Sequence, residues 1–243
     1  MIKKCIKAEL LKLRHSHIWL IIIILPIVSI LIGGANFYFN QGILQNEWYS
    51  LWTQVSLFYG EFFLPILISI LCAYVCRLEH MNKNWNTVMT APVSISSIFI
   101  SKLLIVGFLT FLVQTFFIIF YLLSGKLFGF SSPLPKELFG WMFRGWLASI
   151  SIGSIQLWIS IRIRSFAAPI GICVCATFIG LGIYVMKFGM FFPYSFFTIG
   201  MGVLSQESLT IVENATFILM NLIFISTFSY LTITKLTKTD IIA

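Results

Sequence analysis

Charge is scarce in this sequence. Asp, Glu, Lys and Arg make up 10% of the 243 residues, where soluble domains average about 25%. An ordinary water-soluble domain is thereby excluded. Signatures of self-contained chemistry are missing as well. There is no G-x-x-x-x-G-K-[S/T] phosphate loop, no H-E-x-x-H pair and no G-x-S-x-G elbow. No paired carboxylates or metal-ligand cluster fall at one depth, which argues against a membrane enzyme. The five cysteines, Cys5, Cys72, Cys76, Cys173 and Cys175, fall in no expected outer loop, and their number is odd. A disulfide framework is therefore disfavoured. Cys72-x3-Cys76 and Cys173-x-Cys175 are poor zinc spacings, so the thiols read as small buried apolar residues. His15 and His17 splay apart on a helix and, with His80, read as interfacial polar residues. No internal repeat divides the chain.

What is present is apolar: 59% of the residues are hydrophobic, gathered in runs near twenty residues, about the length that crosses a 30 Å hydrocarbon core at 1.5 Å per residue. The reading is an all-α polytopic membrane protein, a single domain over 1–243 with six spans at about 18–38, 55–76, 98–123, 138–161, 167–186 and 215–234. The net charge of +8 could suggest nucleic acid, but its placement argues otherwise. Lys3, Lys4, Lys7, Lys12, Arg14, Arg77, Lys83, Lys102, Arg162, Arg164, Lys235 and Lys238 fall on one side. Lys126, Lys136, Arg144 and Lys187 fall on the other. This is the positive-inside bias, and it puts both ends of the chain in the cytoplasm.

Residues 2–17 read as an amphipathic interfacial helix with an apolar stripe of Ile2, Ile6, Leu10 and Leu13. A cleaved signal peptide is the alternative, disfavoured by the long basic region and the long apolar run. Gly33-Gly34 offers a close-packing surface, and Trp48 and Trp52 suit an outer interfacial belt. Lys102, in the first turns of the third span, can snorkel to the headgroups. Residues 187–214 are aromatic and broken by Gly and Pro, which fits re-entrant or surface-lying short helices better than a span.

Two places invite a functional reading. Residues 77–92 interrupt two apolar runs with a short helical pattern. Trp85, Val88 and Met89 share a face, Glu79 stands four residues before Lys83, and Pro92 ends the helix. A solvated loop on the headgroups and a docking helix for a cytoplasmic partner both fit this pattern. The second place holds the membrane charges Glu61 and Arg144, near the far ends of their spans. Such groups are costly unless paired or hydrated, so they either sit at the exposed interface or line a cavity.

The order of elements resembles the permease subunits of type-2 ABC exporters, most closely the lantibiotic and bacteriocin immunity permeases. The resemblance rests on the basic helix Lys3–Arg14, on Arg77-x-Glu79, Asn84-Trp85-Asn86, Met89-Thr90-Ala91-Pro92-Val93-Ser94 and Ser101-Lys102-Leu103-Leu104, and on the aromatic segment around Phe192-Pro193-Tyr194. Glu79, Pro92, Ser94 and Lys102 match the family's glutamate, proline, small polar residue and lysine.

The resemblance implies a bacterial plasma-membrane subunit that binds no cofactor itself. A separate ABC ATPase would use ATP and Mg below it, and a second permease, identical or sister, would complete the pathway among membrane lipid. It implies a coupling helix between spans two and three, with Glu79, Lys83, Trp85, Val88, Met89 and Pro92 as its candidate residues. It also implies outer re-entrant helices before span six, with Glu61, Arg144, Pro193 and Tyr194 as candidate pathway residues. The cargo would be an antimicrobial peptide. Another hydrophobic cargo (drug, lipid or glycan) and a non-transporting sensor or anchor subunit stay open, and nucleic acid is not an expected partner.

Overall fold

The strongest helical signal, long apolar runs without internal breaks, becomes a bundle of long helices in the computed structural model, which describes residues 2–14, 16–81, 84–205 and 208–238. In chain order they are α1 (Ile2–Leu13), α2 (Ile18–Phe39), α3 (Glu47–Ser56), a π-helical segment (Leu57–Phe63), α4 (Leu64–His80), α5 (Asn84–Thr90), α6 (Ile95–Leu127), α7 (Leu138–Arg162), α8 (Ala167–Val185), α9 (Phe196–Gly200) and α10 (Ile211–Lys238). Two short 3-10 turns, Gly189–Phe191 and Pro193–Ser195, precede α9. Among the described residues five helical stretches are long and apolar enough to cross a membrane: Ile18–Phe39, Glu47–His80, Ile95–Leu127, Ala167–Val185 and Ile211–Thr237.

Hydropathy alone underestimates these lengths. The span read over 55–76 lies inside one continuous 34-residue rod from Glu47 to His80, and α6 runs past both bounds of the span read over 98–123. At 1.5 Å per residue the rod is about 50 Å long, beyond the hydrocarbon thickness. The helices alternate in direction. One end of the bundle gathers Lys12, Glu79, Lys102 and Ser160, and the opposite, far end gathers Trp48, Ser132, Arg144 and Gly200.

The 25-residue α7 is less apolar for a physical reason. It packs against α4, α6, α8 and α10, so much of its surface meets protein. Ser149, Ser151, Ser154, Gln156 and Ser160 are buried there. Its interior polar groups pair across helices: Ser149 Oγ donates to Thr110 Oγ1 (2.9 Å), and Gln156 accepts from Ser69 Oγ (3.0 Å) and donates to Tyr194 Oη (2.7 Å).

The tryptophans expected in an outer belt pack inside instead. Trp52 is fully buried, stacks on Trp141 with ring centroids 4.8 Å apart, and donates to the Met201 carbonyl (2.8 Å). Trp48 donates to the Ser132 carbonyl (3.0 Å), while Tyr121 Oη donates to the Trp48 carbonyl (2.8 Å). The physical reason is local. Residues 47–56 continue the rod and lie against α2 and α6, so indoles at helical spacing find partners in the bundle before they find lipid. Small residues permit the fit. A Cβ on Gly33 would lie 2.5 Å from Val55 Cα, and one on Gly125 would lie 2.2 Å from Trp48 Cζ3.

This packing separates tolerant from intolerant glycines. Gly125→Val is expected to cost about 1–3 kcal/mol by overpacking against an indole already held in place. Gly171→Ala and Gly182→Ala, which meet no atom within 4 Å, should be neutral or stabilising by about 0.5–1 kcal/mol. Thermal unfolding in detergent micelles measures all three.

Candidate functional site

Lys102 enters the first turns of α6 with no water to receive its charge, because its side chain is fully buried. Snorkelling is therefore corrected by the structure: α1, α4 and α5 close over the site before the amine can reach headgroups. Its three N–H groups meet three acceptors, Glu79 Oε1 (2.7 Å), the Val75 carbonyl (2.9 Å) and Glu9 Oε1 (3.0 Å). Lys12 Nζ donates to the same two carboxylate oxygens, at 2.9 Å from Glu9 and 2.5 Å from Glu79. Two ammonium and two carboxylate groups thus form a neutral cluster, three of them nearly or wholly buried. The burial cost is offset by close contacts from both ammonium groups to Glu9 Oε1 and Glu79 Oε1, while Oε2 of each carboxylate is buried without a hydrogen-bond partner. The cluster ties α1 to the end of α4 and the start of α6.

Glu9 was not singled out in the sequence, yet a signal exists. It falls between Ile6 and Leu13 at helical spacing and is buried, whereas Ile2 and Leu10 of the expected stripe are exposed. A lone carboxylate on the inward face of a basic helix asks for a buried cation. Glu79 finds its cations on α1 and α6. Lys83 lies outside the described residues.

The short helix α5 follows α4 at this end. Trp85 is buried, with its ring 6.0 Å from Lys102 Nζ, so the apolar face read as open to a partner is partly spent within the chain. Its Nε1 donates to His80 Nδ1 (3.2 Å). His80 Nε2 must then carry the proton that bridges to the Ser160 carbonyl (2.7 Å). His80 is thus a fixed link from α5 to α7, not a free interfacial group. Val88 is half-buried, the Met89 side chain lies outside the described ones, and Pro92 is exposed in the bend after α5. Ser94 caps α6 by accepting from the Ser97 N–H (3.3 Å).

At the far end Pro65 shapes the site. It has no N–H for the Glu61 carbonyl four residues earlier, and the helix widens to π geometry, with the Leu64 N–H donating to the Tyr59 carbonyl. Such bulges commonly re-aim side chains at functional sites. Glu61 is buried within the π segment, its nearest polar influence Thr198 of α9, and neither Glu61 Oε1 nor Thr198 Oγ1 has a hydrogen-bond partner of ordinary geometry. Arg144 is half-buried and reaches the same α9, donating from Nε to the Gly200 carbonyl (2.9 Å) and from Nη1 to Asn214 Oδ1 (3.0 Å). Tyr194 and Pro193 are buried just before α9. The structure therefore brings Glu61, Arg144, Pro193 and Tyr194 to one short segment, while Glu61 and Arg144 make no ion pair with each other. Beside it, a cavity of about 400 Å³ is lined by residues including Tyr184, Lys187, Thr198 and Glu213.

A family model described as ABC-2 family transporter protein matches residues 5–180, and this span holds the charge cluster, α5 and the π segment. The chain belongs to the ABC-2 transporter family. No curated protein and no solved structure matches it. Members of this family are the membrane-embedded permease components of ABC transport systems, without ATPase chemistry of their own, and their membership implies an ABC ATPase and membrane lipid as partners. That division of labour agrees with a site built from charge pairing and packing.

The two buried glutamates should respond oppositely to the same change. Glu61→Met removes an unpartnered carboxylate oxygen and is expected to stabilise the fold by about 1–2 kcal/mol. Glu79→Met leaves the ammonium groups of Lys12 and Lys102 to share the single carboxylate of Glu9, an excess buried charge that is expected to destabilise the fold by about 3–5 kcal/mol. Thermal unfolding in detergent reads both signs.

Proposed function

We propose that this chain is the transmembrane subunit of an ATP-driven exporter that removes lantibiotic-type antimicrobial peptides from the bacterial plasma membrane. α5 is the coupling helix that meets the partner ATPase. α7 is the sixth span, shielded enough by its neighbours to carry serines and a glutamine. The chain crosses six times with both ends in the cytoplasm, and a second permease of the same or sister sequence completes the pathway.

The observation that carries this reading is the neutral cluster of Glu9, Lys12, Glu79 and Lys102. It joins α1, the helix before α5 and the helix after it, so a displacement of α5 is passed into the bundle and not absorbed by a loop. Trp85 contributes from the inside: it anchors α5 to His80 and, through it, to α7. α9 and the turns before it cap the far end of the pathway, where Arg144 and Glu61 meet them. The peptide cargo rests on the resemblance of residues 77–104 to the immunity permeases. Export of a different hydrophobic cargo is favoured by one feature, an apolar groove of about 510 Å³ between α6 and α7 lined by residues such as Phe111, Ile118, Phe139 and Trp146.

Sensitive cells that express the chain with its ATPase and sister subunits should gain protection against a lantibiotic. Trp85→Ala should still insert in the membrane but lose co-purification with the ATPase and most of the protection, since α5 loses the buried indole that holds it to His80, a packing loss of about 3–5 kcal/mol. In the same cells an impermeant maleimide should label Ser131→Cys and spare Ser165→Cys. Protection against lipophilic drugs alone would reassign the cargo. Full protection by Trp85→Ala would remove α5 from the coupling path.

A further inference from the structure

The charge cluster occupies one face of α1 and leaves the other in the open. At 3.6 residues per turn, Lys7, Leu10, Leu11 and Arg14 point away from the buried Glu9 and Leu13, and all four are exposed. Together with Trp19, in the first turn of α2, they line an open groove of about 430 Å³ at the elbow between the two helices. Its charge is unmatched. No residue lining it is acidic, and the ion pairs among the described residues all belong to the cluster on the opposite face. Glu9, the only carboxylate of α1, is spent there on Lys12 and Lys102. Lys3, one turn before Lys7 and also exposed, extends the basic edge.

Trp19 gives the groove a fixed wall. Its Nε1 donates to the Leu13 carbonyl (3.1 Å) across the elbow, so the ring cannot swing away without losing that bond. Leu10 and Leu11 expose apolar surface between the two cations. Past Trp19, α2 continues with exposed Leu20, Ile23 and Ile24, and Ile23 follows Trp19 by one turn on the same face. α2 is one of the helices long and apolar enough to cross a membrane. An apolar track therefore leads from the basic groove along the outside of a membrane helix. A soluble anion would satisfy the cations and leave the leucines in water. A hydrocarbon chain alone would cover the leucines and leave the cations unmatched. A ligand with an anionic head joined to a hydrocarbon tail satisfies both.

We propose that this elbow groove binds an anionic phospholipid, with its phosphate between Lys7 and Arg14 and an acyl chain against Leu10, Leu11 and Trp19. The guanidinium of Arg14 forks onto two phosphate oxygens, and the Lys7 ammonium meets the head as a point charge. Basic segments beside a membrane helix hold anionic headgroups in this way. The site has a consequence for the charge cluster. The same helix presents Glu9 and Lys12 on its inner face, so a lipid held on the outer face keeps α1 in the orientation that completes the cluster.

Native mass spectrometry of the full chain in detergent, with equal amounts of dioleoyl phosphatidylglycerol and dioleoyl phosphatidylcholine, tests this. The chain should retain phosphatidylglycerol about thirtyfold over phosphatidylcholine, the preference that two basic side chains near an anionic headgroup supply. The double substitution K7Q/R14Q should bring the ratio close to one. Both side chains are exposed, so this variant should unfold at the same temperature as the unaltered chain when no lipid is added. K126Q/K136Q removes the same charge at the far end and should leave the ratio intact. L10S/L11S should lower retention of both lipids without changing their ratio. An unchanged ratio in K7Q/R14Q, or equal binding of the two lipids by the unaltered chain, overturns the proposal. Displacement of phosphatidylglycerol by inorganic phosphate at equal concentration overturns the lipid and assigns the groove to a soluble anion. Loss of the partner ATPase from K7Q/R14Q with the lipid ratio unchanged assigns the face to an acidic protein surface instead.

Discussion

One constraint organises the basic end of this molecule: an ammonium group that cannot reach water. Lys102 is buried at the start of α6, and its three donors demand three acceptors in fixed directions. Glu79 and the Val75 carbonyl fix the end of α4 beside it, and Glu9 draws in α1. Lys12, still partly in contact with solvent, brings the cluster to neutrality. Because stranding one member of a buried set costs far more than the set itself contributes, these three helices hold one relative arrangement or lose the cluster entirely. That all-or-none character suits the proposed junction between α5 and the membrane bundle better than a set of apolar contacts, which slide.

The far end depends on a different constraint, a backbone with one donor too few. Pro65 forces the π segment, which aims Glu61 at α9. Gly60 in the same segment lets Met201 and Val203 lie close, and Gly145 faces Met201 from α7. Aromatic rings fill the remaining space, with Tyr59 stacked on Phe117 and Trp52 stacked on Trp141. The two ends communicate through α7, where Gln156 connects Ser69 of α4 to Tyr194 beside α9 and Ser160 connects to His80. Polar groups in the interior of α7 are the material of that connection, and they also lower the hydropathy of this helix.

Much of this was legible from residues alone. The class, the alternation of long apolar helices, a helix between the second and third of them and the breaks over 187–205 follow from hydrophobic runs and Gly and Pro punctuation, which are local signals. Glu79, Trp85, Glu61 and Arg144 stood out individually by their cost or pattern, and Tyr194 only through the family resemblance. Their partners did not. Glu9 and Lys102 are 93 residues apart, and the π geometry of residues 57–63 follows from a proline whose effect on Glu61 hydropathy does not register. The indoles of Trp48, Trp52 and Trp85 looked interfacial because amphipathic rings suit headgroups and helix interiors equally, and only tertiary packing chooses between them.

A double-mutant cycle on Glu9 and Lys102 tests the central claim most directly. Glu9→Gln, Lys102→Met and their combination would be unfolded thermally in the same detergent, with Lys12 and Glu79 unchanged. If the four charges are one cooperative unit, the pair is strongly non-additive, with an interaction energy of about 2–3 kcal/mol and the double variant little worse than Lys102→Met alone. Additive losses, with an interaction energy below about 0.5 kcal/mol, would mean that α1 is held by its apolar contacts and that the charge cluster does not bind the three helices together.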